Sequence, residues 1–156
     1  MWGQGILQDS NFLTCAQEII NSAQRNIYIS TFKIEKGDKS KHRYLNGLLD
    51  TLIRKKASGV DVRLLTNKQG EQGHVPHTNA KAINYLKKGG VKVKWLRNSR
   101  ICHAKMILVD DYYCIIGSHN LSLKSCHGNY ETSILITNCI MIERLIRDFL
   151  FTWSGN

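Results

Sequence analysis

At 156 residues, with 42% hydrophobic and 22% charged side chains, the chain has the composition of one ordinary globular domain, 1–156, and not of a disordered segment. No run approaches the roughly 18 consecutive apolar residues of a membrane span. Lysine and arginine number 22 against 12 acids, a net charge of +10, so the surface attracts polyanions, nucleic acid first and an anionic membrane surface second.

In chain order, residues 11–24 place Phe12, Leu13, Ala16, Ile19, Ile20 and Ala23 at helical spacing, and RNIYISTFKI then reads as a strand. Residues 44–57 repeat the helical pattern through Leu45, Leu48, Leu49, Leu52 and Ile53, closed by Ser58-Gly59 before the strand VDVRLLTN. A glycine-rich polar loop, KQGEQGHVPHT, leads to a short helix over 79–88 that ends at Gly89-Gly90. VKVKWL alternates as a strand, with Lys92 and Lys94 on one side. Two further strands follow within HAKMILVDDYYCIIGSHN, turning at Asp110-Asp111, then a polar loop, the strand YETSILIT and a closing helix over 140–153. Helices alternating with strands predict an α/β sandwich on a mostly central, mixed sheet, because the hairpin argues against an all-parallel one.

Five cysteines with no CxxC spacing fit buried thiols in a reducing compartment. The opening MWGQGILQDS lacks the charged and long apolar regions of a secretory signal, so the expected location is cytoplasmic. Cys102-His103, Cys126-His127 and the pair His74 and His77 raise a metal reading, but none has structural zinc spacing, and no metal is expected.

The two strands at 103–117 carry polar groups where a core would place Val, Ile or Leu. With a period of two, His103, Lys105, Ile107 and Val109 share one face, and Ala104, Met106, Leu108 and Asp110 the other. After the turn the chain returns Gly117, Ser118 and Asn120 to the end that holds His103. Lysine, serine and asparagine supply donors to phosphate oxygens, and the histidine is a nucleophile or proton carrier near neutral pH. Gly117 would let backbone approach the ligand. Glu131, ahead of an apolar strand, is placed to accept a hydrogen bond from His103 and fix its tautomer. Lys124 could extend a phosphate track, as could Lys92, Lys94, Arg97 and Arg100, while His119 reads as a turn residue near substrate.

The spacing His103-x-Lys105, Asp110, Gly117-Ser118-x-Asn120 matches the HxK(x)4D(x)6GSxN signature of the phospholipase D superfamily. Length and order of elements resemble its small single-motif nucleases. The resemblance implies an α/β/α sandwich around the central mixed sheet, and hydrolysis of phosphodiesters through a phosphohistidine, without metal or other cofactor. His103 would attack phosphorus, Lys105 and Asn120 would hold the phosphate with help from Ser118, and Glu131 would pair with the histidine. Asp110 is assigned a structural role at the turn. The reaction needs two histidines and the chain offers one motif, so the resemblance implies a homodimer whose copies share one site. The expected partner is DNA or RNA. No amphipathic basic helix or apolar anchor suggests stable membrane association. A phospholipid of cardiolipin type and a silent nucleic-acid-binding module are the alternatives.

Overall fold

The computed structural model describes residues 3–8, 10–67, 78–96 and 100–156. Among them seven strands form one sheet: β1 (Gly5–Gln8), β2 (Asn26–Ser30), β3 (Asp61–Thr66), β4 (Lys92–Trp95), β5 (Met106–Val109), β6 (Tyr113–Gly117) and β7 (Thr132–Thr137). Their spatial order is β1-β7-β6-β5-β2-β3-β4, with β2, β3 and β4 parallel and every other neighbour pair antiparallel. The mixed sheet read from the hairpin is the one observed. The helices are α1 (Ser10–Ser22), α2 (Arg43–Ala57), α3 (Thr78–Lys88), α4 (Leu123–His127) and α5 (Ile140–Ser154).

Strand alternation divides the core in two. Ile27, Ile29, Val62, Leu64, Ile107 and Val109 point to one face and are buried with Phe12, Ala16 and Ile20 of α1, Leu48 and Leu52 of α2 and Leu86 of α3. Tyr28, Leu65, Leu108 and Cys114 point to the other, beneath Ile142, Phe149 and Trp153 of α5. Each fully buried aliphatic side chain contributes about 2 kcal/mol of transfer energy, so these two faces hold the layers together. Gly59 and Gly90 end α2 and α3 with φ of 96° and 83°, a left-handed backbone that favours glycine.

Three elements differ from the sequence reading. Strand β1 and the five-residue α4 were not anticipated, because GILQ and LKSCH are too short to show a period. Regular strand also begins at Met106, so His103 and Lys105 lie in the approach to β5 and not within it. The loop containing His74 and His77 lies outside the described residues, as does Arg97.

The β5–β6 turn is pinned at Asp110. Asp110 and Asp111 adopt φ of 55° and 58°, which aspartate tolerates better than most residues other than glycine. The Asp110 carboxylate accepts the backbone N–H groups of Gln24 (2.5 Å), Arg25 (2.7 Å) and Asn26 (2.9 Å), tying the turn to the start of β2. The neighbouring Arg25–Asp111 ion pair, 2.9 Å but largely exposed, is worth under about 1 kcal/mol, so the carboxylate does most of the fixing. Replacing Asp110 by alanine removes a charged acceptor from three donors, and the expected loss is about 2 kcal/mol in urea unfolding; an unchanged midpoint would show that the turn holds without it.

Candidate active site

Strand register brings the signature together at one end of the sheet. Met106 pairs with Ile116 across the hairpin, and the Gly117 N–H donates to the Lys105 carbonyl at 3.3 Å, so Lys105 and Gly117-Ser118 are neighbours. On the other flank, the segment after β2 runs beside Leu121, with Leu121 N–H to Lys33 O at 3.1 Å and Glu35 N–H to Leu121 O at 2.9 Å. That pairing carries Asn120 to Thr31 and Lys33. Asn120 Oδ1 accepts the Lys33 N–H at 3.1 Å, which fixes the amide's orientation and leaves Nδ2 as its available donor.

His103 is exposed, and its ring lies 5.3 Å from that of Phe32. The half-buried Lys105 turns back onto it, with Nζ 3.1 Å from His103 Nδ1 and 2.6 Å from the His103 carbonyl. An ammonium only donates, so Nδ1 accepts and the ring hydrogen resides on Nε2. Burial pulls the Lys105 ammonium below its ordinary range, against the opposing charges of Cys102 and Glu131.

Several side chains take positions that the sequence did not predict. Glu131 does not meet His103 within the chain: its Oε1 accepts Ser125 Oγ at 3.0 Å and Asn129 Nδ2 at 2.9 Å. Burial raises its pKa, but hydrogen bonds from Ser118, Asn129 and Ser125 outweigh that and hold the carboxyl below its ordinary range. Ser125 also accepts the Asn120 N–H at 2.8 Å, so Glu131 and Asn120 are joined through α4. The Ser118 hydroxyl is tied to strand β7, accepting Thr132 N–H at 3.0 Å and donating to Thr132 O at 3.3 Å. Gly117 is required by that same strand, because a Cβ there would strike the Cα and Oγ of Ser133. His119 is a core residue, 3% exposed, stacked on Phe12 at 4.3 Å with Nδ1 2.8 Å from Ser133 Oγ. Lys92 pairs with Asp61 at 3.1 Å and Lys94 donates to Trp153 O at 2.9 Å. Arg100 borders the groove that contains His103. Lys124 lies on α4 in a groove with Lys41 and Tyr44.

Two buried amides that the sequence reading passed over hold the frame. Asn67, at the end of β3, accepts Cys102 N–H at 2.8 Å and donates to Cys102 O at 3.0 Å and Phe32 O at 3.1 Å. Asn79 donates to Phe32 O and accepts Ile34 N–H, each at 3.1 Å. Cys102 precedes the nucleophile candidate and Phe32 faces its ring, so Asn67 positions His103 without touching it. The only hint in the sequence was a polar residue closing the apolar run VDVRLLTN.

In fold the chain is similar to two solved structures over nearly its whole length. Nuc of Salmonella typhimurium, a phospholipase D family member, superposes with a TM-score of 0.79 at 20% identity, covering 98% of this chain and 96% of Nuc. NucT of Helicobacter pylori gives 0.74 at 19% identity, covering 98% and 96%. Residues 17–153 match the family model described as cardiolipin synthase, PLD-like domain. The chain belongs to the phospholipase D superfamily, a group of phosphodiesterases and phosphotransferases. A cardiolipin synthase of Geobacillus kaustophilus is 30% identical over 133 residues, which are 85% of this chain and 24% of that protein. The chain thus spans about a quarter of the length of such relatives.

Asn67→Ala leaves the Cys102 N–H buried without its acceptor. The expected cost is about 1–3 kcal/mol in chemical denaturation, together with reduced turnover while Lys105 and Asn120 remain in place. A variant of unchanged stability and activity would show that the Cys102 backbone is held by other contacts.

Proposed function

We propose that the protein is a phosphodiesterase that cleaves DNA or RNA through a covalent phosphohistidine, acting as a homodimer whose two copies share one site. The observation that carries this is the convergence of the His103 ring, Lys105 Nζ at 3.1 Å from its Nδ1, and Asn120, whose Oδ1 is taken by Lys33 N–H, at one end of the sheet. These are a nucleophile and two donors for non-bridging phosphate oxygens. The charge of +10 favours a polyanionic substrate.

An incoming phosphate competes with His103 for the Lys105 ammonium. When Lys105 moves to a phosphate oxygen, Nδ1 is free to take up hydrogen and Nε2 to present its lone pair. Nε2 then attacks phosphorus, and a P–N bond forms as the bond to the leaving oxygen breaks. That oxygen takes a proton from His103 of the second copy. The same imidazole next removes a proton from water, whose oxygen attacks phosphorus and displaces His103 from the phosphohistidine. No step calls on a metal ion.

The second copy has a surface to occupy. Ile6, Ile134 and Ile116 are 70%, 48% and 38% exposed and stand in register across β1, β7 and β6. The row continues to Met106, one residue from Lys105. Contiguous exposed aliphatic side chains on a sheet face favour a protein contact, and this one adjoins a site that lacks its second histidine. The reading includes a cytoplasmic location, supported by the free thiols Cys15, Cys114 and Cys126, which burial pushes to about 12.

A second reading keeps the chemistry and exchanges nucleic acid for a phospholipid. It is supported by the match to cardiolipin synthases. No helix among the described residues is long and apolar enough to cross a membrane. Single-stranded DNA, duplex DNA, RNA and phosphatidylglycerol vesicles offered in excess EDTA separate the readings. Wild type is expected to cut nucleic acid, His103→Ala to cut none, and Ile134→Asp to sediment as a monomer with little activity. Turnover of the lipid alone would install the second reading, and a fully active Ile134→Asp monomer would remove the shared site.

A further inference from the structure

We propose that the groove between α2 and α4 bounded by Lys41, Tyr44, Lys124 and His127 binds single-stranded nucleic acid, with a base stacked on Tyr44 and the adjoining phosphates on the two lysines. This rests on the nuclease reading and extends it from the reacting phosphate to the strand that follows. Lys41 stands in a single 3-10 turn (Ser40–His42), and Tyr44 in the first turn of α2 is 70% exposed. Lys124 and His127 face them from α4 across a floor that includes Leu123 and Gly128. An exposed aromatic ring between ammonium groups in a concave groove suits a nucleotide strand, because every base has a face to stack and every link a charge to neutralise.

The groove has a polarity. Beyond Tyr44 and His127 it continues against α1, where Leu13, Gln17 and Glu18 line it. Glu18 repels phosphate at that end, so the backbone is confined to the Lys41–Lys124 side and the base to the ring and the apolar stretch beyond it. The groove is also mechanically joined to the candidate active site. Ser125, next to Lys124 on α4, accepts the Asn120 N–H at 2.8 Å and donates to Glu131 at 3.0 Å, so the helix that carries the groove's Lys124 is hydrogen-bonded to the site's asparagine. A strand whose scissile phosphate lies at His103 can leave along α4 into this groove.

The test uses the full chain in a His103→Ala background, where a bound strand is not cut. Fluorescence anisotropy of a labelled oligothymidylate over a salt series gives the affinity and its salt slope. Tyr44→Ala is expected to weaken binding about tenfold, while Tyr44→Phe stays within about twofold. Replacing Lys41 and Lys124 together by alanine should flatten the log–log salt slope by roughly 1.4, about 0.7 per lost phosphate contact. Thermal midpoints equal to that of the parent identify the loss as one of binding. If Tyr44→Ala binds as tightly as the parent, the groove is not a base platform, and wild-type cleavage judges the nuclease reading separately. If the parent binds phosphatidylglycerol vesicles but no oligonucleotide, the groove proposal and the nuclease reading both fall.

Discussion

The antiparallel register of β5 and β6 is the constraint on which the rest of the molecule depends. One pairing, Met106 with Ile116, sets Lys105 against Gly117, and a slip by one residue would send Ile107 and Val109 out of the α1 layer and Leu108 out from under α5. The register is fixed at the turn by Asp110, whose carboxylate binds three backbone donors of the chain entering β2. It is fixed again at the other end by Gly117, which lets β6 approach β7 more closely than any side chain would allow. Two residues of the signature are thus explained by structure alone. They place the reacting groups without meeting a substrate.

The reacting end is held by amides and hydroxyls together with one mostly buried ion pair, Lys33 Nζ to Glu35 Oε1 at 2.7 Å, whose carboxylate also accepts the Leu123 N–H at 2.8 Å. Asn67 and Asn79 occupy buried positions and satisfy the carbonyls and N–H groups of segments that leave the sheet, at 102 and at 32–34. Ser125 performs the same office between Asn120 and Glu131. The neutral bonds among these contribute about 1 kcal/mol each and the one to the Glu131 carboxylate somewhat more, but all are costly to leave unmade, and so they fix geometry more than they add stability. In the proposed reaction Lys105 is the part that moves: an arriving phosphate draws its ammonium from His103 Nδ1, 3.1 Å away, and that exchange links substrate to the tautomer of the ring.

Much of this was legible in the sequence, for reasons that differ by element. Helices α1, α2 and α5 and the sheet strands β2 and β3 bury one face or both, and burial leaves a period that can be read. β1 was hidden because its four residues acquire meaning only by pairing with β7, some 130 positions away. The signature residues were legible through their spacing, but their contacts were not. His119 has the neighbours of a turn residue and the environment of a core residue, because Phe12 of α1 covers it. Glu131 was expected at His103 and is instead bound by Ser125 and Asn129, and Lys94, offered for a phosphate track, donates to Trp153 O near the end of α5. Asn67 carried no pattern at all. Periodicity reports which face is buried, and it is silent about which polar group finds which partner.

The central claim is that His103 becomes bonded to phosphorus during turnover. The most direct measurement is to mix the wild-type chain with excess oligonucleotide, quench in alkaline denaturant, digest, and weigh the peptide that contains residues 103–105. The expected adduct on His103 is a phosphoryl group still esterified to one product strand, and it forms and decays at the rate of cleavage and is lost in acid. Cleavage with the adduct on another side chain, or with no adduct at any time while a burst of product is released, would contradict it.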